Sequence, residues 1–205
     1  MTNADFLLKK YPIISDQIEP GELKVILNEL EACLENDIPG GVVEMGCYTG
    51  TTSLFIQRLL VTTDKRKFHV YDSFEGLPEK SIKDQSPAGT QFETGSLIAT
   101  KLQFINNFKK AGLPLPSIHK AWFKDLSPTL LPTPVAFAFL DSDFYDSILT
   151  SLRLVWPRLS PGATVVVDDY HNEALPGAKR AVDEWLQHHK YKQIRVEKSL
   201  AIIKY

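Results

Sequence analysis

Two short acidic segments carry the chemistry for which this chain is best equipped. Asp141-Ser142-Asp143 follows an apolar run at 135–140, and Asp168-Asp169-Tyr170-His171 follows another at 163–167. If the two runs are neighbouring strands of a parallel sheet, four carboxylates meet at one rim and repel unless protons or a cation neutralise them. Oxygen donors without a matching His or Cys set point to a hard ion, Mg²⁺ first, with Mn²⁺ or Ca²⁺ as substitutes. Such an ion lowers the pKa of a bound hydroxyl, and a nearby carboxylate can remove the proton. His171, beside the second acidic pair, could assist near neutral pH. Asp also caps helices, which offers Asp143 or Asp146, and one of Asp168 and Asp169, a purely structural role, but hardly the whole group.

A second constellation points to a nucleoside. Glu44-Met45-Gly46-Cys47-Tyr48-Thr49-Gly50-Thr51-Thr52 begins at the end of an apolar run at 42–45. Gly46 and Gly50 permit a tight turn and close approach of a ligand, and Thr51 and Thr52 would open the next helix with polar contacts. Asp72, after the run at 68–71, lies the right distance along the chain to accept hydrogen bonds from both ribose hydroxyls. The turn is G-x-x-x-G rather than G-x-G-x-x-G, and Glu44 would repel a diphosphate. A sulfonium cofactor has no phosphate to repel, and a nearby carboxylate suits its amino group and positive charge. The rivals are a nicotinamide-dependent oxidoreductase and a nucleoside-binding module without chemistry.

The elements that must position these residues follow from periodicity. Apolar, β-branched runs at 42–45, 68–71, 118–123, 135–140 and 163–167 predict strands, and amphipathic stretches at 21–36, 51–60, 97–111, 147–159 and 176–189 predict helices. That alternation is the pattern of a doubly wound α/β fold with a mostly parallel sheet. Segments 193–197 and 200–204, joined by Lys198-Ser199, predict a hairpin and hence an antiparallel C-terminal strand. Residues 1–40 form an N-terminal helical region. Residues 75–96, rich in Gly, Pro, Ser and charges, predict a lid or substrate loop.

Composition narrows the field. A chain of 205 residues, 43% hydrophobic and 23% charged, fits one domain over 1–205. A net charge of -2, from 23 basic and 25 acidic residues, offers no broad positive field for nucleic acid. Two cysteines without a disulfide or zinc spacing predict a reducing, cytoplasmic setting. No signal sequence is apparent and no apolar run reaches about 18 residues, so no membrane partner is expected. The amphipathic N-terminal segment could serve a homo-oligomer.

With these residues in place, the sequence resembles the macrocin O-methyltransferase family, metal-dependent enzymes that decorate macrolide sugars and related natural products. The resemblance covers about 21–189. It rests on V-V-E-M-G-C-Y-T-G-T-T-S (42–53), V-Y-D-S-F-E-G-L-P (70–78), A-W-F-K-D-L-S-P (121–128), L-D-S-D-F-Y-D-S (140–147) and V-V-V-D-D-Y (165–170). It implies a seven-stranded Rossmann-like class I methyltransferase domain. It implies S-adenosylmethionine held through Glu44, Gly46, Thr52, Asp72 and Ser73, with Tyr48, Thr51 and Asp141 among the expected contacts and Trp122, Phe123 and Asp125 beside the adenine. It further implies Mg²⁺ (or Mn²⁺) held by Asp141, Asp168 and Asp169, Asp143 as general base, and a small-molecule hydroxyl as acceptor, a sugar first.

Overall fold

In the computed structural model, which describes residues 2–63 and 66–205, the apolar runs become strands; Met1, Asp64 and Lys65 lie outside the described residues. The strands are β1 (Gly41–Met45), β2 (Phe68–Asp72), β3 (Ser117–Lys120), β4 (Val135–Leu140), β5 (Leu159–Val167), β6 (Gln193–Glu197) and β7 (Leu200–Lys204). They form one sheet in the order β3-β2-β1-β4-β5-β7-β6. Strands β1 to β5 run parallel, and β7 pairs antiparallel with both β5 and β6. The chain builds outward from β1 to β3, then returns to lay β4 against the other side of β1. That reversal opens a crevice at the carboxyl ends of the central strands.

Among the described residues, the α-helices around the sheet are α1 (Asn3–Lys10), which packs on α2 and α3, α2 (Pro20–Glu35), α3 (Thr51–Thr63), α4 (Lys101–Ala111), α5 (Tyr145–Val155) and α6 (Pro176–His188). The central strands are buried on both faces. Val42, Phe137, Phe139 and Val166 pack with α2, α3 and α4, whereas Val43, Ala138, Leu140 and Val165 pack with α5 and α6. This two-sided burial is why the strands read as unbroken apolar runs. Among the described residues, no helix is long and apolar enough to cross a membrane.

Several boundaries differ from the sequence reading, most for a local reason. Strand β3 stops at Lys120, and beyond it Trp122 precedes a short 3-10 turn that Phe123 opens. Helix α4 starts at Lys101 rather than 97, because Thr100 and Gln103 form a capping box. Helix α5 runs from Tyr145 and gives way at Trp156-Pro157 to a 3-10 turn, so β5 begins at Leu159. Helix α1 lies inside the N-terminal region without having been singled out; its Thr2–Asp5 capping box marks its start.

One glycine sets how closely β1 and β4 approach. Gly46 has φ +88, and a Cβ there would lie 1.6 Å from the Asp141 carbonyl oxygen. Gly95, with φ +81, has no atom within 4 Å of its would-be Cβ. A Gly46→Ala variant therefore meets both the left-handed penalty, about 1–2 kcal/mol, and an overpacking cost of about 1–3 kcal/mol; Gly95→Ala meets only the first. Thermal melts are expected to place Gly46→Ala clearly below Gly95→Ala, and equal melting temperatures would contradict the close backbone contact.

Candidate active site

A cavity of about 770 Å³ opens at the carboxyl ends of the central strands, within the range of small-molecule sites. Its wall combines the turn after β1, the ends of β2 and β4, the turn after β3, Asp169 beyond β5 and the 75–96 segment. That segment contributes two short 3-10 turns, Ile82–Asp84 and Pro87–Gly89.

The nucleoside half is organised by Asp72. Its Oδ2 accepts from the amides of Cys47 (2.8 Å) and Tyr48 (3.3 Å), and its Oδ1 accepts from the Phe74 amide at 2.6 Å. The carboxylate thus fixes the glycine turn to the end of β2 while remaining on the cavity wall. Ser73 Oγ accepts from the Glu75 amide at 3.1 Å and also lines the cavity. Gly46, Tyr48, Trp122 and Phe123 share that wall.

Four other expected cofactor contacts stand elsewhere. Thr51 and Thr52 are buried off the cavity wall, and Thr51 Oγ1 donates to Ser15 Oγ at 3.0 Å, fastening the N-terminal segment. Asp125 is exposed and also off the wall. Glu44 is buried beneath the turn, accepts a hydrogen bond from Ser53 Oγ, and leaves Oε1 without a partner. Burial pushes its pKa up to about 8. Its carboxyl is not on the cavity wall. The carboxylates of Asp72 and Asp141 face the cavity instead.

The acidic half is more concentrated. One oxygen from each of Asp141, Asp143 and Asp169 lies within 4.8 Å of the others. Asp143 (φ 58) and Asp169 (φ 56) both occupy the left-handed region, a backbone state uncommon outside glycine that aims these side chains back across the strand tips. Burial, and then the charge of Asp168, raises the Asp141 pKa well above the ordinary range. Burial followed by Asp168 lifts Asp143 to about 7, and burial followed by Asp143 lifts Asp169 to about 7. An all-carboxylate oxygen set under mutual repulsion fits a hard divalent cation. Asp168 adjoins this trio rather than joining it: its Oδ1 accepts from Ser199 Oγ (3.1 Å) and from the Asp169 amide (2.8 Å).

His171 is exposed and off the wall, so the structure does not bring it to Asp143. Its neighbour Asn172 lines the cavity and donates from Nδ2 to Asp169 Oδ1 at 2.7 Å. Phe144, Leu175 and Asp84 also line the site, and the sequence reading passed over all three. Only Asp84 left a trace in the sequence, the Ser81-x-x-Asp84 capping spacing.

The solved O-methyltransferase NovP superposes with a TM-score of 0.78 at 26% identity, over 91% of this chain and 80% of that one. The calicheamicin methyltransferase CalS11 shares the fold, with a TM-score of 0.72 at 17% identity over 98% of this chain and 90% of its own. Fold and site together define an O-methyltransferase of the α/β class. More narrowly, the chain belongs to the macrocin-O-methyltransferase (TylF) family, whose model matches residues 20–198. Mycinamicin III 3''-O-methyltransferase of Micromonospora griseorubida is 32% identical over 177 residues, 80% of this chain and 68% of that protein. The 8-demethyl-8-(2,3-dimethoxy-alpha-L-rhamnosyl)-tetracenomycin-C 4'-O-methyltransferase of Streptomyces olivaceus is 32% identical over 170 residues, 78% of this chain and 64% of that protein. The chain thus spans about two thirds of the length of these curated relatives.

The acidic trio sets a pH dependence. An unfolded aspartate titrates near 3.8, whereas Asp143 and Asp169 titrate near 7 in the fold. A raised folded pKa stabilises the cation-free protein below the unfolded value, and that contribution is lost as pH rises through about 7. Asp143→Asn removes one of the repelling charges. In the presence of a chelator it is expected to melt close to wild type at pH 4 and above wild type at pH 8. A melting difference independent of pH would contradict the repulsion.

Proposed function

We propose that this O-methyltransferase is metal-dependent and moves a methyl group from S-adenosylmethionine to a hydroxyl of a small molecule, a sugar on a natural product first. The observation that carries the reading is the convergence of Asp141, Asp143 and Asp169 on the wall of the same cavity as Asp72. The named relatives act on natural products, which supports the acceptor class. The SAH-bound Podospora anserina methyltransferase shares the fold, with a TM-score of 0.65 at 10% identity. Family membership displaces the nicotinamide reading and the reading without chemistry. Both cysteines are free thiols, which supports a reducing, cytoplasmic setting.

S-adenosylmethionine supplies an electrophilic methyl group on a sulfonium, and a bound Mg²⁺ or Mn²⁺ supplies positive charge that makes a hydroxyl more acidic. The chain supplies the rest. Asp72 receives the ribose hydroxyls, and Trp122 and Phe123 offer aromatic surface to the adenine. Asp141 and Asp169 would hold the cation, with Asp168 beside them as the third carboxylate. Asp143 would accept the hydroxyl proton as the acceptor oxygen takes the methyl group, the methyl–sulfur bond breaking to release S-adenosylhomocysteine. Most of the acceleration comes from orientation and from electrostatic stabilisation of the developing alkoxide. Lys124 is the lone lysine or arginine among the described residues of the cavity wall, which otherwise carries many acids. That balance favours an acceptor that is uncharged or cationic over a phosphorylated one.

Two variants separate ligand from base. Asp143→Asn is expected to lower turnover by about 10²–10⁴-fold, the usual contribution of a general base, with S-adenosylhomocysteine affinity unchanged by calorimetry. Asp168→Asn is expected to weaken Mn²⁺ binding by about 10-fold or more, while Asp143→Asn leaves it nearly intact. Full turnover by Asp143→Asn with a labelled methyl donor would refute the assigned base, and a loss of Mn²⁺ affinity in Asp143→Asn alone would exchange the two roles.

A further inference from the structure

Helix α5 begins directly after the base-bearing turn, yet its N-cap residue, Phe144, has no side chain able to accept from the helix amides. The first turn of a helix leaves several N–H groups without intrahelical partners, and burying one unpaired is costly. Here the partner comes from far along the chain. Asp84 Oδ1 accepts from the Tyr145 amide at 2.6 Å, and Oδ2 accepts from Ser81 through its amide (3.0 Å) and Oγ (2.5 Å). Asp84 is only 1% exposed. The first turn of α6 makes room for it, since a Cβ on Gly177 would lie 1.8 Å from Asp84 Oδ1 and 2.7 Å from the Tyr145 nitrogen.

The turn so capped holds Asp143. Its upstream end is fixed where the Asp141 amide donates to the Met45 carbonyl at 2.9 Å, and within it the Phe144 amide donates to the Ser142 carbonyl at 2.6 Å. Between these points Asp143 sits at φ 58, a conformation that persists only when its surroundings impose it. The 75–96 segment grips the second acidic turn as well. Ser86 Oγ donates to the Glu173 carbonyl at 2.6 Å, and Gly89 lies so close to Ala174 that a Cβ would stand 2.0 Å from its carbonyl oxygen. Leu77, Phe144 and Leu175 form a small apolar cluster between the two turns.

We propose that Asp84 is a positioning residue, which caps α5 from the 75–96 segment and thereby fixes the Asp143 carboxylate relative to Asp141 and Asp169. The proposal rests on the reading of this cavity as the methyl-transfer site. Asp84→Asn retains an oxygen that can accept from the Tyr145 amide but gives up the bonds accepted from Ser81; Asp84→Ala retains none of the three. A misplacement of about 1 Å at a reacting group costs about 100-fold in rate. Asp84→Ala is thus expected to lower kcat by about 10–100-fold with KM for the methyl donor and affinity for S-adenosylhomocysteine within about twofold of wild type. Asp84→Asn is expected to recover kcat to within about fivefold. In parallel, amide hydrogen exchange at Tyr145 is expected to accelerate strongly in Asp84→Ala and only slightly in Asp84→Asn.

Three results would overturn the proposal: unchanged kcat in Asp84→Ala, equal losses in both variants, or unaltered Tyr145 exchange. Should Asp84→Ala not fold, Ser81→Ala loosens the same carboxylate while sparing its bond to Tyr145. It is then expected to raise Tyr145 exchange slightly and lower kcat by a smaller factor, and the absence of both changes would contradict the clamp. Absence of wild-type turnover on any hydroxyl acceptor would sink the methyl-transfer reading instead, leaving the exchange measurement to decide whether the clamp exists.

Discussion

Everything at this site depends on a repulsion that the fold does not relieve by itself. Three carboxylates stand within 4.8 Å of one another at the tips of adjacent strands, partly shielded from water. Solvent cannot screen them as it screens surface charge, so the fold holds protons at pH values where an ordinary aspartate has lost them. Stability alone offers no reason to assemble such a group. A cation that takes the place of those protons turns the same geometry from a liability into a binding site.

Close backbone packing is what brings the acids together. The β1–β4 pairing ends at Met45 and Leu140, and just beyond it only a glycine at 46 lets the Asp141 carbonyl settle against the turn. On the other side, Asp72 uses one carboxylate to gather the amides of Cys47, Tyr48 and Phe74. The cavity is thus walled by elements tied to one another before any ligand arrives. Preorganisation of this kind keeps the reorganisation cost of the reaction low. The 75–96 segment belongs to that framework: it is pinned at Asp84, Ser86 and Gly89, and so forms a wall as much as a cover.

Much of this was legible in the sequence. Strands buried on both faces appear as apolar runs, and residues just beyond them in an open α/β sheet fall at the crevice; Asp72, Asp141, Asp143 and Asp169 were found that way. Direction was harder to read than position. Asp168 and Asp169 are adjacent, yet a left-handed backbone at Asp169 sends its carboxylate to the cavity while Asp168 turns to Ser199. The same limit separates exposed His171 from Asn172 on the wall. Thr51 and Thr52 look like ligand contacts at a helix start, but the first bonds Ser15 and both are buried. Gly46 was visible as a special residue, whereas its partner, a carbonyl from β4's end, required the fold. Asp84 was passed over because a cap supplied from a distant loop has no local pattern.

The central claim is that the carboxylates at the strand tips, Asp141 and Asp169 foremost, exist to hold one hard cation. Titration of Mn²⁺ into metal-stripped protein near pH 7.5, followed by the electron paramagnetic resonance of free Mn²⁺, tests it most directly. The account predicts one Mn²⁺ bound per chain, displaced by Mg²⁺ and absent from a variant in which Asp141 and Asp169 are both replaced by Asn. Free Mn²⁺ equal to total Mn²⁺ through the millimolar range, in a protein that is folded, would contradict it.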